Sequence, residues 1–123
     1  IIYRSSWELQ YLRMLDNDPN VLQYSSEETI IPYINPVTGT RYRYFVDFWV
    51  KRIVDGKQVI QLVEIKPFKQ TQLPNISNRK KTKNVIMEVA TYAQNQAKWA
   101  AATKYCDAKG WQFLIVTEKQ LGR

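Results

Sequence analysis

The sequence predicts an α/β fold in which a mixed central sheet of about four strands is flanked by helices, and three observations carry that prediction. Residues 21–66 hold alternating apolar and polar positions broken by Pro and Gly turns, the pattern of strands joined by tight connections. An Ala-rich stretch over residues 82–108 repeats apolar residues at helical spacing. A last apolar run, residues 111–117, follows that helix, so strand, crossover helix and strand succeed one another.

Taken in order, Ser5 or Ser6 caps a first helix whose apolar positions Trp7, Tyr11, Leu12 and Leu15 recur three and four apart until Asp18-Pro19-Asn20 stops it. Residues 21–34 lead into the turn Asn35-Pro36-Val37-Thr38-Gly39-Thr40, with a strand expected on either side. Residues 41–51 read as one alternating strand. Tyr42, Tyr44, Val46, Phe48 and Val50 share one face, and Arg41, Arg43, Phe45, Asp47, Trp49 and Lys51 share the other. Asp55-Gly56 makes a tight hairpin, and residues 58–66 form the next strand until Pro67 ends its pairing. In the long helix Val85, Val89, Tyr92, Gln96, Trp99 and Ala102 or Thr103 are the expected buried stripe, running up to Cys106 before Gly110 breaks it. Residues 118–121 start a terminal helix or fray. Trp7, Trp49, Trp99 and Trp111 sit at apolar periodic positions or within strands and read as packing.

With 123 residues the chain is expected to form one domain, residues 1–123. Its 45% hydrophobic content excludes a mainly disordered polypeptide. The absence of histidine removes His-based triads, His-Cys zinc sites and a histidine general base, and the single Cys106 removes an intramolecular disulfide framework. No apolar run reaches the roughly 18 residues of a spanning helix. The amino end lacks the order of a secretory signal, so a cytosolic location and no membrane partner are expected. Eighteen Lys and Arg against eleven Asp and Glu give a net charge of +7. Lys66, Lys69, Arg79, Lys80, Lys81 and Lys83 follow one another without an intervening acid, a basic loop suited to a phosphate backbone or simply to solvent.

The chemistry concentrates at Asp47 and at Glu64-Ile65-Lys66. A strand of period two points Glu64 and Lys66 to one face. If the two strands are neighbours, Asp47 and Glu64 converge on one hard cation such as Mg2+, with the Ile65 carbonyl as a further oxygen. Lys66 then orients or deprotonates the attacking water, or stabilises charge on a scissile phosphate. The plainer alternative has Asp47 capping a turn or pairing with Lys51 or Arg43, and Glu64 and Lys66 as neighbours on an exposed strand. Against it stands the apolar setting: Asp47 lies among Phe45, Phe48 and Trp49, and Glu64 between Val63 and Ile65, where uncompensated charge is costly to bury.

The acid in an aromatic strand, the hairpin, and the acid-x-lysine on the following strand together resemble the restriction-endonuclease-like core of the PD-(D/E)XK superfamily. Tyr3-Arg4-Ser5-Ser6-Trp7-Glu8, Ser26-Glu27-Glu28, Ile31-Pro32-Tyr33, Asp47-Phe48, Glu64-Ile65-Lys66-Pro67, Asn95, Lys98-Trp99 and Gly110-Trp111 extend the likeness over nearly the whole chain. In that arrangement the sequence resembles the head completion nucleases of T4-like tailed phages, similar in fold to the TnsA endonuclease of Tn7-type transposons. Val46 stands where such nucleases usually carry Pro before the first acid.

The resemblance implies a divalent-metal-dependent DNA endonuclease acting on phage DNA at packaging and head completion, using Mg2+ with Mn2+ as a substitute. It places the protein in the cytoplasm of the bacterial host during infection or with the virion. It adds Glu8 of the first helix to Asp47 and Glu64 as a metal ligand; by itself Glu8 reads as a solvated first-turn carboxylate. Arg4, Arg41, Arg43, Lys69, Arg79, Lys80, Lys81, Lys83, Asn95 and Lys98 are the expected DNA contacts. The expected partners are DNA, phage head or portal proteins, and a second copy of the chain, because duplex cleavage requires two nicks. The alternatives are an inactive DNA-binding or structural head protein of the same fold, or a transposition endonuclease.

Overall fold

The computed structural model describes residues 6–75 and 82–122. The elements in chain order are α1 (Ser6–Asn17), β1 (Val21–Ser26), β2 (Ile30–Ile34), β3 (Arg41–Phe45), β4 (Phe48–Val54), β5 (Lys57–Ile65), a short 3-10 helix (Phe68–Thr71), α2 (Lys83–Lys109) and β6 (Gln112–Val116). Strands β1-β4-β5-β6 form the expected mixed four-stranded sheet. Its β1/β4 and β4/β5 pairs are antiparallel and β5/β6 is parallel. The parallel pair needs a long connection, and α2 supplies it. Ser5, Arg4, Arg79, Lys80 and Lys81 lie outside the described residues.

The sheet separates two apolar layers. On one face Tyr11, Leu12 and Leu15 of α1 meet Phe48, Val50, Val63, Ile65 and Val116. On the other, Trp99, Ala102 and Cys106 of α2 meet Leu62, Val46 and Tyr44. All four tryptophans pack on these clusters, Trp99 fully buried and Trp7, Trp49 and Trp111 partly.

Residues 41–51 are not one strand. The chain leaves β3 at Phe45 and enters β4 at Phe48, passing from a separate β2/β3 sheet into the central one. Ser26 pairs with Phe48 and Ile30 with Phe45, so residues 27–29 oppose only Val46 and Asp47. This is a bulge of one residue, and Glu27 absorbs it with a left-handed φ of 57°. The Glu27 N–H donates to the Asp47 carbonyl at 3.1 Å and the Val46 N–H to the Thr29 carbonyl at 3.0 Å, which carries the pairing through the bend. Simple alternation would put Tyr44, Val46, Phe48 and Val50 on one face. The bend sends Tyr44 and Val46 toward α2 and Phe48 and Val50 toward α1. Hydrophobic period alone does not register an extra residue on the opposite strand.

The Asp55-Gly56 turn has positive φ at both residues, 51° and 77°, as a two-residue hairpin of this hand requires. Thr82 caps α2, its hydroxyl accepting the Val85 N–H at 3.3 Å, and Gly110 ends it at φ 71°. The buried stripe of α2 is Val85, Asn95, Trp99, Ala102 and Cys106, whereas Val89 and Gln96 are exposed. The helix is therefore rotated from the expected stripe, seating the fully buried Ala102 against the sheet and bringing Asn95 in with Trp99. Residues 118–121 form turns and not a helix.

Leu62 is fully buried in the α2 layer. Leu62→Ala removes that packing, and its expected cost is about 3 kcal/mol, read from the shift in urea midpoint at constant slope.

Candidate functional site: a buried carboxylate pair

Antiparallel register brings the two strand acids together. Phe48 lies opposite Val63 at the end of the β4/β5 ladder, so the next pair outward is Asp47 and Glu64. Both side chains are buried, at 4% and 5% exposure, far below what a surface ion pair shows. One Asp47 oxygen, Oδ2, accepts the Ile65 backbone N–H at 2.7 Å. The Oε2 of Glu64 accepts two donors, the Tyr44 hydroxyl from β3 and the Trp99 indole N–H at 3.3 Å from α2. The pair is buried and not carried on an exposed strand.

Burial pushes the Glu64 carboxyl up to about 7, reinforced by the charge of Asp47 and a hydrogen bond with it, while Tyr44 and the charge of Lys66 pull it back. Two carboxyls forced together in a dry place share a proton more readily than they carry two charges. Lys66, two residues beyond Glu64, is half-buried, and its N–H donates to the Val116 carbonyl at 3.0 Å, which extends the β5/β6 ladder past Ile65.

Glu8 is buried on α1. Glu64 projects from the sheet face covered by α2, and α1 packs on the other face. Among the described residues no three acids or cysteines lie close enough to hold one ion, so Glu8 does not complete a cluster with the pair. The pair itself suits a hard divalent cation: its donors are oxygens, and a cation could take the place of the proton that the buried pair retains. For Ile65 the contact seen is its N–H on Asp47.

The other residues singled out from the sequence surround the pair at various depths. Arg41 and Arg43 are exposed on the hairpin, Arg43 with its guanidinium 5.5 Å from the Phe45 ring centre. Lys98 on α2 sits 5.6 Å from the centre of the Tyr44 ring. Lys69 and Lys83 are exposed. Asn95 is 4% exposed, on the side of α2 turned inward with Trp99, so it does not share an open face with Lys98. It borders a groove of about 950 Å³ whose walls include Phe68, Lys69, Leu73, Met87 and Tyr92, next to the end of β5.

The sequence reads Trp99 as packing and Tyr44 only as one residue of an alternating strand face. The available signal was chemical: a buried phenol or indole N–H needs an acceptor, and the nearby buried acids are the acceptors within reach.

An acid at a strand bend, facing an acid-x-lysine strand in a helix-flanked mixed sheet, defines an α/β protein of the nuclease-like class. The profile of the TnsA-like endonuclease N-terminal family matches residues 18–118, and the chain belongs to that family. It is also 36% identical to the head completion nuclease of Enterobacteria phage T4, over 98% of this chain and 81% of that protein. Glu8 precedes the span matched by the family profile and lies within the alignment to the phage protein, which covers 98% of the chain. No solved structure gives a significant match.

The raised Glu64 carboxyl makes a signed prediction. Between about pH 4.5 and 7 the folded protein keeps a proton that the unfolded chain releases, so stability falls as pH rises through that window and levels off above it. The expected fall for metal-free protein is roughly 3 kcal/mol. Urea denaturation across this range should show it, and Glu64→Gln should remove most of the slope.

Proposed function

We propose that the chain is a divalent-metal-dependent DNA endonuclease that hydrolyses phosphodiester bonds of phage DNA during packaging and head completion. The observation that carries this reading is the meeting of Asp47 and Glu64 in register across β4 and β5, with Lys66 two residues along the same strand. Membership of an endonuclease family and the likeness to a head completion nuclease support it.

In this reading Asp47 and Glu64 would hold Mg2+, with Mn2+ as a substitute, the Ile65 carbonyl and Glu8 being the further ligands that the resemblance implies. Bound there, the ion supplies charge neutralisation at the scissile phosphate and makes a coordinated water more acidic. Lys66 orients the attacking water and helps take its proton. The water oxygen forms the new bond to phosphorus as the bond to the 3′ oxygen breaks, leaving 5′-phosphate and 3′-hydroxyl ends. Arg41, Arg43, Lys69, Lys83 and Lys98, with Arg4, Arg79, Lys80 and Lys81, provide positive charge along the DNA backbone. Asn95, being buried, supports the site from behind. Residues 1–123 act as one nuclease domain in the host cytoplasm or with the virion. Head or portal proteins bring it to its substrate, and a second copy makes the opposite nick.

Plasmid cleavage tests the reading. Wild-type protein should nick and linearise DNA with Mg2+ or Mn2+ and lose that activity in a chelator. Glu64→Ala and Lys66→Ala should each lower the rate at least about 100-fold; variants as active as wild type would falsify the mechanism. A separate binding titration reads the hairpin: Arg41→Ala with Arg43→Ala should weaken DNA affinity about tenfold and reduce the salt slope by about two.

A further inference from the structure

Glu64 is gripped by two donors that the acid-x-lysine motif does not include. The Tyr44 hydroxyl and the Trp99 indole N–H both donate to Oε2, one from the β2/β3 hairpin and one from α2. Resting on the nuclease reading above, we propose that Tyr44 and Trp99 are positioning residues: they hold the Glu64 carboxylate by Oε2 beside Asp47, where the two acids would bind a divalent cation.

The polar atoms at these two positions are not required for packing. Tyr44 is 3% and Trp99 6% exposed, and a Phe ring at either would fill most of the same space without a donor. A glutamate has three side-chain torsions, and the strand backbone restrains only the first of them strongly. Two donors converging on one oxygen restrain the last torsion from both sides, and they come from a braced block. Gln94 of α2 donates to the Tyr33 hydroxyl of β2 at 2.7 Å, tying the hairpin to the helix, and the Lys98 ammonium covers the Tyr44 ring. Asp47 is held in a parallel way by the Ile65 N–H on its Oδ2. Each carboxylate thus has at least one oxygen anchored by the protein, and the two also bond to each other.

Tyr44→Phe and Trp99→Phe test the assignment, with Mn2+ binding to DNA-free protein followed by electron paramagnetic resonance and cleavage followed separately. A hydrogen bond to a charged group corresponds to about a 10- to 100-fold change. Each variant should bind Mn2+ at least tenfold more weakly and lose kcat to a similar extent, with KM for DNA within twofold of wild type. Leu15→Ala is the control: it loosens the core on the α1 side of the sheet, in the layer that holds neither Tyr44 nor Trp99, and should keep wild-type Mn2+ affinity. The positioning role is overturned if Tyr44→Phe, which keeps the ring, binds Mn2+ and turns over within twofold of wild type. It is also overturned if Leu15→Ala loses Mn2+ as badly as the two variants. Wild-type protein that takes up no Mn2+ would overturn the nuclease reading and this assignment together, whereas normal uptake by wild type and variants alike would overturn this assignment alone.

Discussion

Two carboxylates held against each other away from water are the constraint around which the rest of this molecule is arranged. Isolated burial of either charge would be prohibitive, and burying both side by side is worse. The fold meets that cost with specific groups: a backbone N–H from Ile65, a phenol from β3, an indole N–H from α2, and the nearby charge of Lys66. They come from three separate stretches of chain, the end of β5, β3 and α2. The hairpin, the crossover helix and the sheet are therefore all needed to hold one pair of acids.

The same constraint accounts for the shape of the sheet. Were residues 41–51 a straight strand, Asp47 would lie on the face opposite Val46 and Phe48, and those two would share a layer. The bulge opposite it lets Val46 and Phe48 enter different layers, and Asp47 occupies the point of reversal, where its carboxylate reaches the Ile65 N–H. A chain without histidine thus uses strand geometry to place a proton-sharing group near neutrality.

Much of this was legible in the sequence because it depends on local rules. The long helix ends at Thr82 and Gly110 where capping chemistry says it should, and the Asp55-Gly56 turn sets the β4/β5 register that opposes Asp47 and Glu64. What was not legible depends on contacts between distant segments. The split of residues 41–51 is dictated by an extra residue on the partner strand, at Glu27. The rotation of α2 that buries Asn95 and exposes Val89 follows from seating Ala102 on the sheet. Tyr44 and Trp99 look like ordinary core aromatics until the chain folds, because their acceptor lies 20 and 35 residues away.

The bulge also sets where this chain can change length. Residues 27–29 span a gap that two residues span on the partner strand, so removing one of them equalises the count, erases the bulge and turns Val46 and Phe48 toward a single layer. Either Tyr44 and Val46 would then leave the α2 layer or Phe48 and Val50 the α1 layer. The turn at residues 36–39 is exposed and carries no such count, so an added residue there leaves both registers intact. Single-codon insertions and deletions should thus be purged at the bend and accepted at the hairpin tip only some ten residues away.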